Sequence, residues 1–294
     1  MYSERNGSLV TSVDGCEVVW RSFGDGPTTV LLHGGHGNWQ HWVRNIGPLS
    51  RNRRLLVPDM PGFGDSGAPP RPDLAGLVDI LARSLARISA DPSRGPSPDL
   101  SLGRIDLVGF SFGALVTAHL ATHAGLGHIE VGRLALLGPA GHAGPRRMTQ
   151  ALLDWRRCQD PHALAAAMRH NLAAFMLADP AAIDGEAVAI HTRACRATRF
   201  HSKSISRAGG LQQALARFPG PVLMIWGEAD VTMSPEAIAG IARDSRNASA
   251  DAPEVRVSVV PGAGHWVQYE AHQPVNELLQ AWLQKITDPP APAG

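Results

Sequence analysis

Arg104-Ile-Asp-Leu-Val-Gly-Phe-Ser-Phe-Gly-Ala-Leu-Val, residues 104–116, decides the fold. Residues 104–108 are almost continuously apolar, as expected of a strand buried on both faces of a parallel sheet. The pattern turns helical over 114–123. Between them lies Gly109-Phe110-Ser111-Phe112-Gly113, a G-x-S-x-G turn in the strand-to-helix setting that this motif requires. A residue displayed on so tight a turn sits in strained backbone, and glycines two before and two after it relieve the crowding. The helix N-terminus behind the turn favours developing negative charge. Ser111 is therefore read as a nucleophile.

The same alternation extends outward. Residues 17–23, 28–32, 54–57, 132–137, 221–226 and 255–260 read as strands, and 76–88 and 275–286 read as helices. Residues 91–103, rich in Pro, Ser, Gly and Asp, read as a loop. Strands alternating with helices imply a mostly parallel sheet with helices on both faces. Residues 145–210 break the rhythm: they are helical in period and contain no convincing strand. The expected organisation is a core at 1–144, a helical cap at 145–210, a second core part at 211–287 and a flexible tail at 288–294. A cap at the carboxyl ends of the strands would roof the place where open α/β sheets bind ligands.

A serine hydroxyl needs a base. His265 follows the strand at 255–260, in Pro-Gly-Ala-Gly-His-Trp, where a loop histidine can reach the sheet's carboxyl end. The base needs an acid to fix its tautomer. Asp230 follows the strand at 221–226, with Glu228 as its rival, and no acid follows the strand at 132–137. An oxyanion needs two fixed N–H donors. Phe112, directly after the nucleophile, supplies one amide, and Gly35 of the loop His33-Gly-Gly-His-Gly supplies the other. His33 reads as a brace for that loop. Gly34 and His36 belong with the substrate-binding candidates; for His36 and His41 an exposed loop position is the plainer reading.

These residues resemble the α/β-hydrolase superfamily. The matching motifs are His33-Gly-Gly-His-Gly, Asp59-Met-Pro-Gly-Phe-Gly-Asp-Ser, Gly109-Phe-Ser-Phe-Gly, Trp226-Gly-Glu-Ala-Asp and Gly264-His265, in order over about residues 17 to 286. The resemblance implies an α/β-hydrolase fold: a mostly parallel central sheet flanked by helices, with a helical cap inserted after the sixth strand. It also implies a structural turn at 59–66. Serine at the nucleophile position sets aside the branches that open epoxides or displace halides. Two features are similar to the C–C hydrolases of meta-cleavage pathways: Trp266 directly after the histidine, and Asn45, which aligns with a site asparagine there. That similarity also points to a cap arginine for a substrate carboxylate, with Arg193 preferred among Arg193, Arg196 and Arg199. Phe110 argues the other way, because that family often has asparagine there and a bulky apolar neighbour suits an apolar ester. The expected activity is hydrolysis of a small carboxylic ester, with a C–C hydrolase close behind and a non-catalytic small-molecule receptor as the alternative of another class.

Composition narrows the rest. The chain has 294 residues, 44% apolar and 18% charged, with a net charge of +1. Nothing in that balance, and no basic block with interleaved aromatics, favours nucleic acid or an anionic membrane. The N-terminus lacks an apolar stretch of the kind a signal peptide carries. Three scattered cysteines show no metal or redox spacing and fit a reducing, cytoplasmic setting. The expected partner is a small-molecule substrate, self-association is left open, and the chemistry calls for no metal or organic cofactor.

Overall fold

The computed structural model describes residues 2–5, 8–90, 102–144, 146–246 and 254–284. The expected loop at 91–103 falls mostly outside them, as do the end of the helix expected at 275–286 and the tail at 288–294. Nine strands form one sheet: β1 (Tyr2–Arg5), β2 (Ser8–Val13), β3 (Cys16–Phe23), β4 (Thr28–Leu32), β5 (Arg54–Pro58), β6 (Arg104–Phe110), β7 (Glu130–Leu137), β8 (Val222–Gly227) and β9 (Val255–Val260). Their spatial order is β1-β2-β3-β5-β4-β6-β7-β8-β9. β1, β2 and β3 pair antiparallel, as do β3 and β5; every pairing from β5 through β4 to β9 is parallel.

Ten helices accompany the sheet among the described residues: α1 (Val43–Leu49), α2 (Leu74–Ser89), α3 (Phe112–Leu120), α4 (Pro161–Phe175), α5 (Gly185–Arg196), α6 (Ser202–Arg207), α7 (Leu211–Leu215), α8 (Pro235–Arg246), α9 (Val267–Glu270) and α10 (His272–Gln284). Burial alternates with the strand period of two. Val30, Leu32 and Leu107 enter one core with Leu77, Leu81, Leu85 and Leu115 from α2 and α3. Leu31, Val108 and Phe110 enter the other with Leu49, Leu279 and Leu283 from α1 and α10. Each such leucine contributes roughly 1.5–3 kcal/mol by leaving water. Both faces of the middle strands are spent this way, which is why β6 reads as a nearly continuous apolar run, interrupted by Asp106.

The helix starts follow local rules. Asp73 caps α2 by accepting from the Gly76 N–H at 2.7 Å, and Asp160 caps α4 ahead of Pro161, whose missing N–H is no loss in a first turn. Asp184 caps α5 by accepting from the Ala187 N–H at 2.7 Å. The same carboxylate accepts from the Tyr269 hydroxyl at 2.8 Å and pairs with Arg44 at 2.7 Å. One side chain thus starts α5 and ties it to α1 and α9.

The sheet carries more strands than the sequence reading counted, because β1 and β2 add an antiparallel ribbon. Leaving aside the four-residue β1, the long helical excursion leaves the sheet after the sixth strand, β7. That excursion, from Gly138 to Pro221, contains no strand among its described residues. α3 begins at Phe112 and stops at Leu120, earlier at both ends than the 114–123 reading; His123 instead caps a short 3-10 turn by accepting from the Gly125 N–H at 3.1 Å.

Candidate active site

Gly109 and Gly113 exist because backbone passes where a side chain would be. A Cβ on Gly113 would collide with the carbonyl oxygens of Leu32 and His33, and one on Gly109 with Thr117 and Gly113. The close approach of β4, β6 and α3 drives Ser111 to φ 53° and ψ −116°. Its N–H donates to Leu137 O at 2.8 Å, and its carbonyl accepts from the Ala140 N–H at 3.0 Å. Both bonds tie the turn to the end of β7.

The Ser111 Oγ lies 2.9 Å from His265 Nε2, and His265 Nδ1 lies 2.9 Å from Asp230 Oδ2. Asp230 is fully buried and His265 nearly so, while Ser111 remains partly open. Burial opposes the Asp230 charge, but His265 and the hydrogen bonds from Thr232 outweigh it and hold the carboxyl below its usual range. The Thr232 N–H donates to Asp230 Oδ1 at 2.7 Å. Glu228 is turned away: its Oε2 accepts from the Gly262 N–H at 2.9 Å in an exposed position.

The glycine loop lies against the serine. A Cβ on Gly34 would meet the Phe110 ring and come 3.3 Å from the Ser111 Cβ; one on Gly35 would meet Ser202 and come 3.6 Å from the Phe112 Cβ. Phe112 opens α3, so its N–H has no acceptor within the helix. The Gly35 N–H donates to no protein acceptor among the described residues. His33 is fully buried; its Nδ1–H donates to Gly34 O at 2.8 Å and its Nε2 accepts from the Met60 N–H at 2.9 Å. Both nitrogens are committed to the neutral ring, and burial pushes its pKa down to about 4.

Around this centre the structure redistributes the other candidates. The Phe110 ring is fully buried, 5.0 Å from the His265 ring and 5.4 Å from the His41 ring. His36 stands at φ 54°, half-buried, with Arg156, Lys203 and His201 near enough to help burial depress its pKa. Asn45 packs among helices. It is fully buried, and its Nδ2 donates to Gln268 O at 3.0 Å and Asn276 Oδ1 at 2.8 Å, joining α1 to α9 and α10. Trp266 is likewise structural: fully buried, stacked on Tyr269 at 4.2 Å, its indole N–H spent on His41 O. Arg193 donates to Gln40 Oε1 at 3.3 Å and lines a groove of about 710 Å³ between α4 and α5 that none of Ser111, His265 and Asp230 borders. α5 ends at Arg196, so Arg199 shares no helical face with Arg193; it donates to the carbonyls of Gly64 and Ser66. The 59–66 turn is built around the buried Asp59, whose carboxylate accepts from the Trp39 and Asp65 N–H groups at 2.9 Å each.

Three further neighbours stand close to this centre, of which the sequence reading left Arg146 unnamed. His41 is not an exposed loop histidine: it is 1% exposed and wedged between Phe110 and Trp266. Phe175, the last residue of α4, meets the His265 ring edge-on at 5.1 Å. The Arg146 guanidinium lies 5.4 Å from the centre of that Phe175 ring and has no hydrogen-bond acceptor or ion-pair partner among the described residues. Long-range packing alone brings Arg146 here; its local sequence carries no signal.

Comparison with known proteins agrees with this architecture. The profile of the alpha/beta hydrolase family matches residues 29–278. The chain is 26% identical over 277 residues to a 2-hydroxy-6-oxo-6-phenylhexa-2,4-dienoate hydrolase of Burkholderia cepacia, covering 88% of each chain. It is 29% identical over 272 residues to the dihydrolipoyllysine-residue acetyltransferase component of an acetoin cleaving system of Pseudomonas putida, covering 89% of this chain and 65% of that relative. Among solved structures, an esterase from Rhodococcus sp. ECU1013 superposes with a TM-score of 0.70 at 20% identity, covering 95% of this chain and 98% of that one.

Proposed function

Because the chain belongs to the alpha/beta hydrolase family, we propose that it cleaves a small carboxylic ester through an acyl-enzyme on Ser111. The observation that carries this reading is the unbroken line from Ser111 Oγ through His265 to Asp230, with 2.9 Å at each step. His265 Nε2 takes the serine proton as Oγ attacks the carbonyl. Asp230 holds the Nδ1–H tautomer and stabilises the imidazolium. The Gly35 and Phe112 N–H groups receive the oxyanion. His265 then returns the proton to the leaving alcohol and activates the water that releases the acid. Residues 1–144 and 211–287 serve as the hydrolase core, and 145–210 as the cap, whose Phe175 packs edge-on against the His265 ring.

Turnover of short p-nitrophenyl esters and labelling by a fluorophosphonate test this directly. Ser111→Ala is expected to abolish the label and to lower kcat by roughly 10⁴-fold or more, since triad members act as a unit. Absence of both turnover and label in the wild type, or a label that survives Ser111→Ala, overturns the reading.

One observation favours C–C hydrolysis as the second reading. Arg146 offers an unspent guanidinium one aromatic ring from His265, a better place than Arg193 for a substrate carboxylate. A vinylogous 1,5-diketone acid turned over faster than p-nitrophenyl butyrate, with that preference lost in Arg146→Gln, would move the assignment to this branch.

A further inference from the structure

The loop that supplies the Gly35 amide carries glycine at 34, 35 and 37 because neighbouring groups leave no room for side chains: Phe110 and Ser111 beside Gly34, Ser202 beside Gly35 and the His41 ring beside Gly37. Glycine brings conformational freedom with it. An oxyanion donor works only if it is already aimed. Something must freeze this loop, and two histidines do so from opposite sides of Gly34. His33 Nδ1–H holds the Gly34 carbonyl. That carbonyl belongs to the same planar peptide as the Gly35 N–H, so fixing one end aims the other. The preceding peptide is held by its N–H, which donates to His41 Nδ1 at 3.2 Å.

His41 is costly to keep for packing alone. Its ring sits among Phe110, Trp266 and His33, where a phenyl ring would fill similar space. Accepting from Gly34 at Nδ1 forces the proton onto Nε2, and Nε2 has no partner among the described residues. A buried donor left unpaired carries an uncompensated desolvation cost that a phenyl ring would avoid. We propose that His41 is a positioning residue of the oxyanion loop, with Nδ1 as the working atom: by holding the Gly34 N–H it orients the Gly35 amide for the transition state. Burial keeps the ring neutral and Nδ1 free to accept. This inference rests on Gly35 being an oxyanion donor and assigns a residue outside the triad to the same step.

The two ring nitrogens can be separated by substitution. In His41→Asn the amide oxygen takes the place of Nδ1; in His41→Gln the amide nitrogen takes the place of Nε2; His41→Phe keeps the ring and loses both. With p-nitrophenyl butyrate, the Gln and Phe variants are expected to lose roughly 10- to 100-fold in kcat, a fraction of what removing an oxyanion donor costs, with KM nearly unchanged. The Asn variant recovers most of that loss. A trifluoromethyl ketone, which forms a tetrahedral adduct on the serine, weakens in the same order. Recovery by Gln instead of Asn, equal loss in both, or a loss confined to KM overturns the proposal. Exchange of the Gly34 amide reads the hydrogen bond without turnover: slow in wild type and the Asn variant, fast in the Phe variant. If the wild type neither turns over esters nor takes the fluorophosphonate, the reading of Ser111 fails, while slow Gly34 exchange in the wild type, lost in the Phe variant, still reports the His41 bond. A Gly34 amide that exchanges equally fast in all four overturns the positioning role by itself.

Discussion

Ser111 occupies a backbone conformation that side chains avoid, and the hydrogen bonds to Leu137 and from Ala140 hold it there. Its partners divide one task. Asp230 is buried and locked by Thr232, whereas Glu228, two residues earlier, points to solvent and caps the Gly262 turn. Asp230→Asn is therefore expected to lower kcat by roughly 10³- to 10⁴-fold with little change in KM, because the amide favours the wrong imidazole tautomer. Glu228→Gln should leave kcat within about threefold of wild type. Steady-state kinetics on one ester tests both, and equal losses would restore Glu228 as the rival acid. At this scale the sequence was most informative where chemistry fixes a residue type after a strand: Ser111, Asp230 and His265. Two residues read from motifs are committed to packing. Asn45 is turned by α1 onto α9 and α10, and Trp266 spends its indole on His41 O.

The strand–turn–helix element depends on contact distance more than on propensity. The N-terminus of α3 rests on the end of β4 through Gly113. Gly113→Ala is expected to destabilise the protein by roughly 2–4 kcal/mol, since backbone on both sides must yield. Thermal unfolding should show the loss, and a Tm near wild type would mean that the contact is looser than described. Elements whose pattern is self-contained were legible. The apolar period of α2 and the doubly buried β4, β6 and β8 are set by their own residues. β2 was missed although Asp14-Gly15, both at positive φ, marks a hairpin turn into β3. The four-residue α9 was missed because it is stabilised by contacts far away in the chain, among them Tyr269 on Asp184.

Across the whole molecule, neutral histidines link stability to acid, His33 fully buried and His191 partly so. His33 and His191 have pKa values depressed by burial from 6.5 to about 4. The unfolded chain takes up these protons below about pH 6.5, and the folded chain refuses them until about pH 4. Stability is thus intact above that window and falls as pH drops through it, by about 1.4 kcal/mol per pH unit for each withheld proton. Denaturant unfolding at pH 7.5, 6 and 5 should show the midpoint falling, and His33→Gln should flatten the slope; a midpoint independent of pH would mean that these rings titrate normally. The parallel order of the sheet was readable from the alternation of strands and helices, whereas the four-residue β1 is too short and polar to carry a strand pattern of its own. β7 pairs directly with β8, Leu137 beside Ile225, although the whole helical excursion separates them in the chain. Because the two strands run parallel, its ends lie on neighbouring strands at opposite edges of the sheet: it leaves level with Ile225 and returns level with Leu134. Mutations, insertions or a transplanted segment between them can redraw what reaches the serine while the ladder displaying it is inherited unchanged. Laboratory diversification for new substrates has its natural reading frame there.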